Sequence, residues 1–223
     1  MVWNNLNDIH RMFGAFRRRR MDKFCDVMAP SDEVKVLDIG GRVNTWTTES
    51  KPGLRFPVTM INVERSGHEV DGRFTYMEGN GCALPFRDRS FDIAFSNSVI
   101  EHVGGWEEQE AFAREARRVA DKLWIQTPAR SFPLEPHMFA LFVHWFPRKV
   151  QRKLVRHFSL WGWKMKPTPK DVEWVLDGTR LLTWAEVKKL FPDCSIFKER
   201  FLGLTKSYVI VRGSRQVSAK QEG

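Results

Sequence analysis

A short apolar run that stops at two glycines constrains the fold more than any other feature: residues 34–41, Val-Lys-Val-Leu-Asp-Ile-Gly-Gly. Six residues are too few for a helix with a buried face, and the run is rich in branched aliphatics. It therefore reads as a strand covered on both sides, as in a parallel sheet. The glycines accept backbone angles closed to other residues and allow close approach to the main chain. Six further segments read as strands: 56–63, 74–78, 91–95, 122–126, 194–200 and 206–212. Helical or mixed segments separate them. Over 5–28, Leu6, Ile9, Met12, Phe13, Phe16, Met21, Phe24 and Met28 recur at roughly helical spacing until Pro30. Short helices are expected near 44–50, before a break at Pro52-Gly53, and over 107–120, with Phe112, Ala116 and Val119 inward. Over 183–190, Thr183 followed by Glu186 has the capping-box pattern. The alternation predicts an α/β protein: a doubly wound, mostly parallel seven-stranded sheet with right-handed crossovers.

The rhythm breaks between residues 130 and 170, punctuated by Pro133, Pro136, Pro147, Pro167 and Pro169. FALFVHWF and VQRKLVRHF there look helical, greasy and basic, so a helical insertion after the fifth strand is expected over the carboxyl ends of the strands. The divisions are an N-terminal helical cover at 1–30, a binding core at 31–129, a lid or acceptor-side insertion at 130–175, a closing helix and strands at 176–213, and a frayed tail at 214–223.

The formal charge of +9 admits three partners, namely nucleic acid, an anionic membrane surface or an acidic small molecule, without choosing among them. Cys25, Cys82 and Cys194 lack metal or redox spacing and read as reduced fillers. The polar start lacks the apolar run of a signal peptide, and no stretch suits a bilayer span, so a cytoplasmic chain with peripheral membrane contact at most is expected.

In open parallel sheets ligands sit beyond the carboxyl ends of the strands. A Gly-Gly turn alone is a weak signal. No phosphate-loop Gly-Lys-Ser/Thr follows it, and Arg42 stands where a dinucleotide fingerprint needs its second glycine. Three longer segments sharpen the reading: GNGCALPFRDRSFDIAFSNSVIEHV at 79–103, LWIQTPARSFPLEPH at 123–137, and RLLTWAEVKKLFPDCSIFKERFLGLTKS at 180–207. With the glycine turn, and in this order, they resemble the class I S-adenosylmethionine-dependent methyltransferases of the type 11 family, over roughly residues 34–212.

The resemblance implies that S-adenosylmethionine is the cofactor and S-adenosylhomocysteine the product. It implies that Asp38, Gly40 and Gly41 contact the methionine end. Asn62 holds the family's ribose position by register, while Glu64, two residues on, has the better chemistry for two hydroxyls. Asn80, Gly81 and Cys82 are implied at the adenine, and Ser96 on the fourth strand joins the cofactor set. Asn80 replaces the family's usual acidic residue and also suits a plain Asx turn.

Methyl transfer to a hydroxyl needs alignment and a proton acceptor, a role that suits histidine. His102 beside Glu101, His137 two residues after Glu135, and His144 in the insertion are the candidate bases. No metal-ligand set shows in the spacing, so no metal is expected. Type 11 relatives act on sugars, lipids, quinones and natural-product scaffolds, and the greasy, basic insertion favours O-methylation of a saccharide, glycolipid or lipid-like acceptor. An RNA-directed methyltransferase is the alternative suggested by Arg17–Arg20. Against it, SNSVIEH replaces the Asn/Asp-Pro-Pro-aromatic signature of base-amine methylation, so nucleic acid is disfavoured. A non-catalytic binding protein on the same fold is the other alternative. The sequence is silent on oligomeric state.

Overall fold

A computed structural model describes residues 2–50, 53–64 and 72–213, with side chains from residue 14 onward. The expected frayed tail at 214–223, the side chains of Leu6, Ile9, Met12 and Phe13, and Pro52 of the expected break lie outside the described residues.

Seven strands form one sheet: β1 (Val36–Ile39), β2 (Val58–Asn62), β3 (Phe74–Glu78), β4 (Phe91–Asn97), β5 (Ala120–Pro128), and, after a short two-stranded pair β6 (Leu134–Glu135) and β7 (Ala140–Leu141), β8 (Ser195–Phe201) and β9 (Leu204–Arg212). Their order is β3-β2-β1-β4-β5-β9-β8. The first five pair in parallel, and β9 joins β5 antiparallel and turns back into β8. Leu202 and Gly203 make that turn with φ of 50° and 81°, the left-handed pair that a two-residue hairpin demands. Chain direction across the sheet reverses between β1 and β4, which opens a crevice at their carboxyl ends.

All four residues of β1 are buried, and the strand's alternation divides the core. Leu37 and Ile39 pack with Phe112, Ala116 and Val119 of helix α3 (Trp106–Val119), and with Val187 and Leu190 of helix α7 (Trp184–Leu190). Val36 faces the opposite layer, where Met21, Phe24 and Met28 of helix α1 (Val2–Met28) meet Trp46 of helix α2 (Val43–Thr47). Phe24 is fully buried and meets Trp46, Phe95 and Trp124 edge-on at ring-centroid distances of 5.7, 5.3 and 5.7 Å. Thr183 caps α7 with the reciprocal Glu186 bonds expected of a capping box.

The insertion differs from its expected form in one respect. VQRKLVRHF is helical, as α4 (Arg148–Phe158), but FALFVHWF is the short strand β7 followed by a 3-10 turn at Val143–Trp145. Phe142 takes a left-handed φ of 62° between them, which no continuous helix accommodates. Helices α4, α5 (Leu160–Met165) and α6 (Pro169–Asp177) follow, and Val155, Val172 and Leu176 form their own small core with Met138, Ala140 and Val143. The β6–β7 pair therefore leads from the carboxyl end of β5 into a separate helical layer.

Candidate active site

A cavity of about 740 Å³ opens where β1, β4 and β5 end. The glycine turn, Asn62, Ser98 and Gln126 form its floor, α1 supplies Arg17 and Arg20, and Phe132, Leu134, Pro136, His137 and Phe139 enter from the insertion.

At the turn, Gly40 has φ 76°, and a Cβ there would lie 2.5 Å from Val99 Cγ2. A Cβ on Gly41 would lie 1.8 Å from Asp38 Oδ2, so the carboxylate occupies the space that glycine leaves. Asp38 is fully buried. Its Oδ2 accepts from the Trp46 indole at 2.7 Å, and its Oδ1 has no partner among the described residues. Burial raises its pKa to about 7, against the lowering effect of the indole bond. A buried, unsatisfied carboxylate oxygen on the wall of a cavity calls for a cationic donor. The ammonium of the cofactor's methionine end is such a donor, and the double-glycine cradle admits it. The residues present thus fit S-adenosylmethionine.

The other predicted cofactor residues fall into two groups. Asn62 lines the cavity, and its Nδ2 donates to Gly41 O at 2.8 Å. Glu64 is exposed just past β2 and is not among the lining residues described. Asn80, Gly81 and Cys82 also lie off the described wall. Asn80 Oδ1 accepts from Cys82 N at 2.9 Å, an Asx turn, while Gly81 fits against Ile39 and Phe112 and Cys82 Sγ donates to Glu108 O at 3.2 Å. Ser96 is buried and donates to Ile39 O at 2.9 Å; its hydroxyl ties β4 to β1 rather than facing the cavity.

The histidines separate as well. His102 and His137 meet at the rim with Nε2 atoms 2.9 Å apart. His102 Nδ1 bonds the carbonyl of Gly178 at 2.9 Å, and His137 Nδ1 bonds Glu135 Oε1 at 2.6 Å. Glu135 is itself buried and fixed by Met138 N at 2.7 Å. Both Nδ1 atoms therefore act as donors, and the two Nε2 lone pairs converge on one point that needs a proton or another electrophile. For His137, burial is outweighed by the bond and charge of Glu135, so its pKa rises; for His102, burial prevails and lowers it. His144 belongs elsewhere: it lines a second, smaller cavity and bonds Arg130 O at 3.0 Å.

The spacing showed no metal-ligand set, but the fold brings three potential donor residues together. Glu101, His102 and His137 bring one donor atom each within 4.8 Å of one another. The spacing concealed this because the donors come from two segments, one after β4 and one between β6 and β7. Glu101 is fully buried; its Oε2 accepts from Thr127 Oγ1 at 3.0 Å, and Oε1 has no partner among the described residues.

The sequence reading also missed Arg20. The Arg17–Arg20 run reads as a basic surface, yet Arg20 is only 5% exposed and its guanidinium enters the cavity wall. It pairs with Glu199 at 3.0 and 2.7 Å, donates to Gln126 Oε1 at 2.8 Å and contacts Asn97 Oδ1. Burial and the Arg20 charge push neighbouring Lys206 down to about 8. The sequence signal was available in retrospect: Arg20 lies one residue before Met21 and four before Phe24, on the edge of the buried face.

Residues 53–122 match the methyltransferase domain family. No curated protein matches the chain significantly. Among solved structures, the 1,6-didemethyltoxoflavin-N1-methyltransferase of Burkholderia thailandensis is 12% identical, with 95% of this chain and 82% of that chain covered and a TM-score of 0.53. The PH0226 protein of Pyrococcus horikoshii is 15% identical, over 89% of this chain and 91% of that one, at 0.53. The YcgJ protein of Bacillus subtilis is 15% identical, over 83% and 71%, at 0.51. At these identities the likeness is one of fold. Sheet order and these likenesses define the class I methyltransferase fold, and over residues 53–122 the chain matches the methyltransferase domain family, whose cofactor is S-adenosylmethionine.

Proposed function

We propose that the chain methylates a hydroxyl of a small organic molecule, a saccharide or a lipid-like precursor, with the transfer taking place between the glycine turn and the His102–His137 pair. One observation carries this reading: a single cavity is lined both by Asp38 with its glycine cradle and by the two facing histidines. S-adenosylmethionine, when bound, supplies an activated methyl group. Asp38 and the Gly40–Gly41 backbone hold its amino-acid end, and Asn62 stands at its ribose. His137, oriented by Glu135, and His102, oriented by Gly178 O, hold their Nε2 atoms where an acceptor hydroxyl gives up its proton. Phe132 and Phe139 shield the acceptor side from water.

The insertion supports a lipid-linked acceptor. Phe158, Trp163, Met165 and Trp174 are exposed large apolar side chains, and they lie among Arg152, Arg156, Lys164 and Lys166. Exposed aromatics framed by cations suit an anionic membrane surface. No helix among the described residues is long and apolar enough to cross a membrane, so such contact is peripheral on this reading.

Calorimetric titration with S-adenosylhomocysteine tests the core of the proposal. One-site binding, followed by transfer of labelled methyl to a hydroxylated glycolipid or sugar, is the expected result. Absence of binding sinks it.

A further inference from the structure

We infer that Glu101, His102 and His137 form a binding site for one divalent transition-metal ion, open toward the acceptor side of the cavity. The inference rests on reading this cavity as the site of methyl transfer only for its purpose; the ligand geometry stands apart from that reading.

Three independent features converge. First, the outer nitrogen of each imidazole is already held by an acceptor, Gly178 O for His102 and Glu135 for His137. Metal-bound histidines are oriented in this way, by a carbonyl or carboxylate on the nitrogen remote from the ion. Second, the inner nitrogens face each other at 2.9 Å, an arrangement in which two lone pairs repel unless something electrophilic lies between them. Third, Glu101 Oε1 is a buried carboxylate oxygen without a partner among the described residues. A carboxylate oxygen of Glu101 and a ring nitrogen of each histidine lie within 4.8 Å of one another.

The donor set also has the right composition. Two neutral imidazoles and one carboxylate suit Zn²⁺ and its first-row neighbours, and they leave coordination positions vacant. Ligand atoms around tetrahedral zinc stand about 3.3 Å apart, given bond lengths of roughly 2.0–2.1 Å. The imidazoles need to part by only about 0.4 Å on that geometry. His102 and His137 line the cavity, so the vacant side faces the acceptor, where an acceptor oxygen can complete the shell. With the ion bound the imidazoles serve as its ligands instead of as proton acceptors, and the ion would lower the pKa of the acceptor hydroxyl. Glu101 is buried and not among the lining residues; it is held by Thr127 Oγ1 through Oε2, which leaves Oε1 for the ion.

The test uses the full, untagged chain after treatment with a chelator. Titration with Co²⁺, followed by visible absorption, is expected to give one equivalent per chain, displaced by Zn²⁺. His102→Ala and His137→Ala are expected to weaken Co²⁺ binding at least a hundredfold, and Glu135→Gln, which only orients His137, about ten- to a hundredfold. His157→Ala, on the exposed face of α4, is expected to bind as the native chain does. S-adenosylhomocysteine titration of each variant reports whether the fold survives. Failure of the native chain to bind Co²⁺ or Zn²⁺, or binding indifferent to both histidine variants, overturns the metal site. If Co²⁺ binds as expected while S-adenosylhomocysteine does not, the metal site stands and the methyltransferase reading falls.

Discussion

Arg20 of the first helix and Glu199 of the last hairpin form a two-pronged ion pair, Nε to Oε1 at 3.0 Å and Nη2 to Oε2 at 2.7 Å, across 179 residues of sequence. The pair is only 5% and 20% exposed, so each charge depends on the other for the solvation it lost. It also fixes one wall of the cavity, because the same guanidinium reaches Gln126.

Arg20→Ala should therefore destabilise the chain by about 3–5 kcal/mol, since it strands a buried carboxylate. A urea titration measures this. Arg20→Met combined with Glu199→Met should recover part of the loss, because neither member of the pair is then left as a buried charge without the other. A loss below about 1 kcal/mol for the single variant would show that Glu199 finds other solvation.

Asp38 makes stability depend on pH. Its folded pKa of about 7 lies above its ordinary value of 3.8, so the folded chain holds this proton more tightly than the unfolded one. The contribution is complete below about pH 4 and is lost as pH rises through about 7, at up to about 1.4 kcal/mol per unit. Unfolding free energies measured across that window should fall with pH for the native chain and less steeply for Asp38→Asn. The cofactor's ammonium favours the ionised form, so S-adenosylhomocysteine should bind more tightly as pH rises toward 7, with proton release that varies with buffer in calorimetry.

Gly41→Ala places a methyl group on the Asp38 carboxylate, 1.8 Å from Oδ2. Either the carboxylate or the turn must move, and Trp46 holds the carboxylate. S-adenosylhomocysteine affinity should drop more than tenfold. Unchanged affinity would remove the glycine turn from the cofactor's site.

Thr183→Ala serves as a contrast, because the capping box of α7 lies outside the described cavity wall. Loss of the cap should cost about 1 kcal/mol and lower the melting temperature by about 2–4 °C. Cofactor affinity should remain as in the native chain.

Local chemistry made much of this architecture readable in the chain. Apolar runs such as 34–39 and 91–95 predicted parallel strands buried on both faces, and the Thr183–Glu186 spacing predicted a helix start. The cavity wall was legible where its residues follow directly from their own strand, as at Asp38, Gly40 and Gly41. It was obscured where partners are distant. Arg20 owes its burial to Glu199 and Gln126, and neither can be matched to it by spacing. His102 and His137 come together only because the short strand β6 turns the chain back over the sheet. Asn80, at a family position, accepts from its neighbour Cys82 in an Asx turn, the other reading its sequence allowed.

The placement of Arg20 sets an order of assembly on the ribosome. Its socket includes Glu199 on β8, and Ser207 on β9 contacts the same carboxylate. An emerging chain can pair β1 to β5 while that hairpin is still in the exit tunnel, but α1 then carries a cation with no counter-charge to bury against. Helix α1 should dock fully only after β8 and β9 have left the ribosome, and the cavity should close with it.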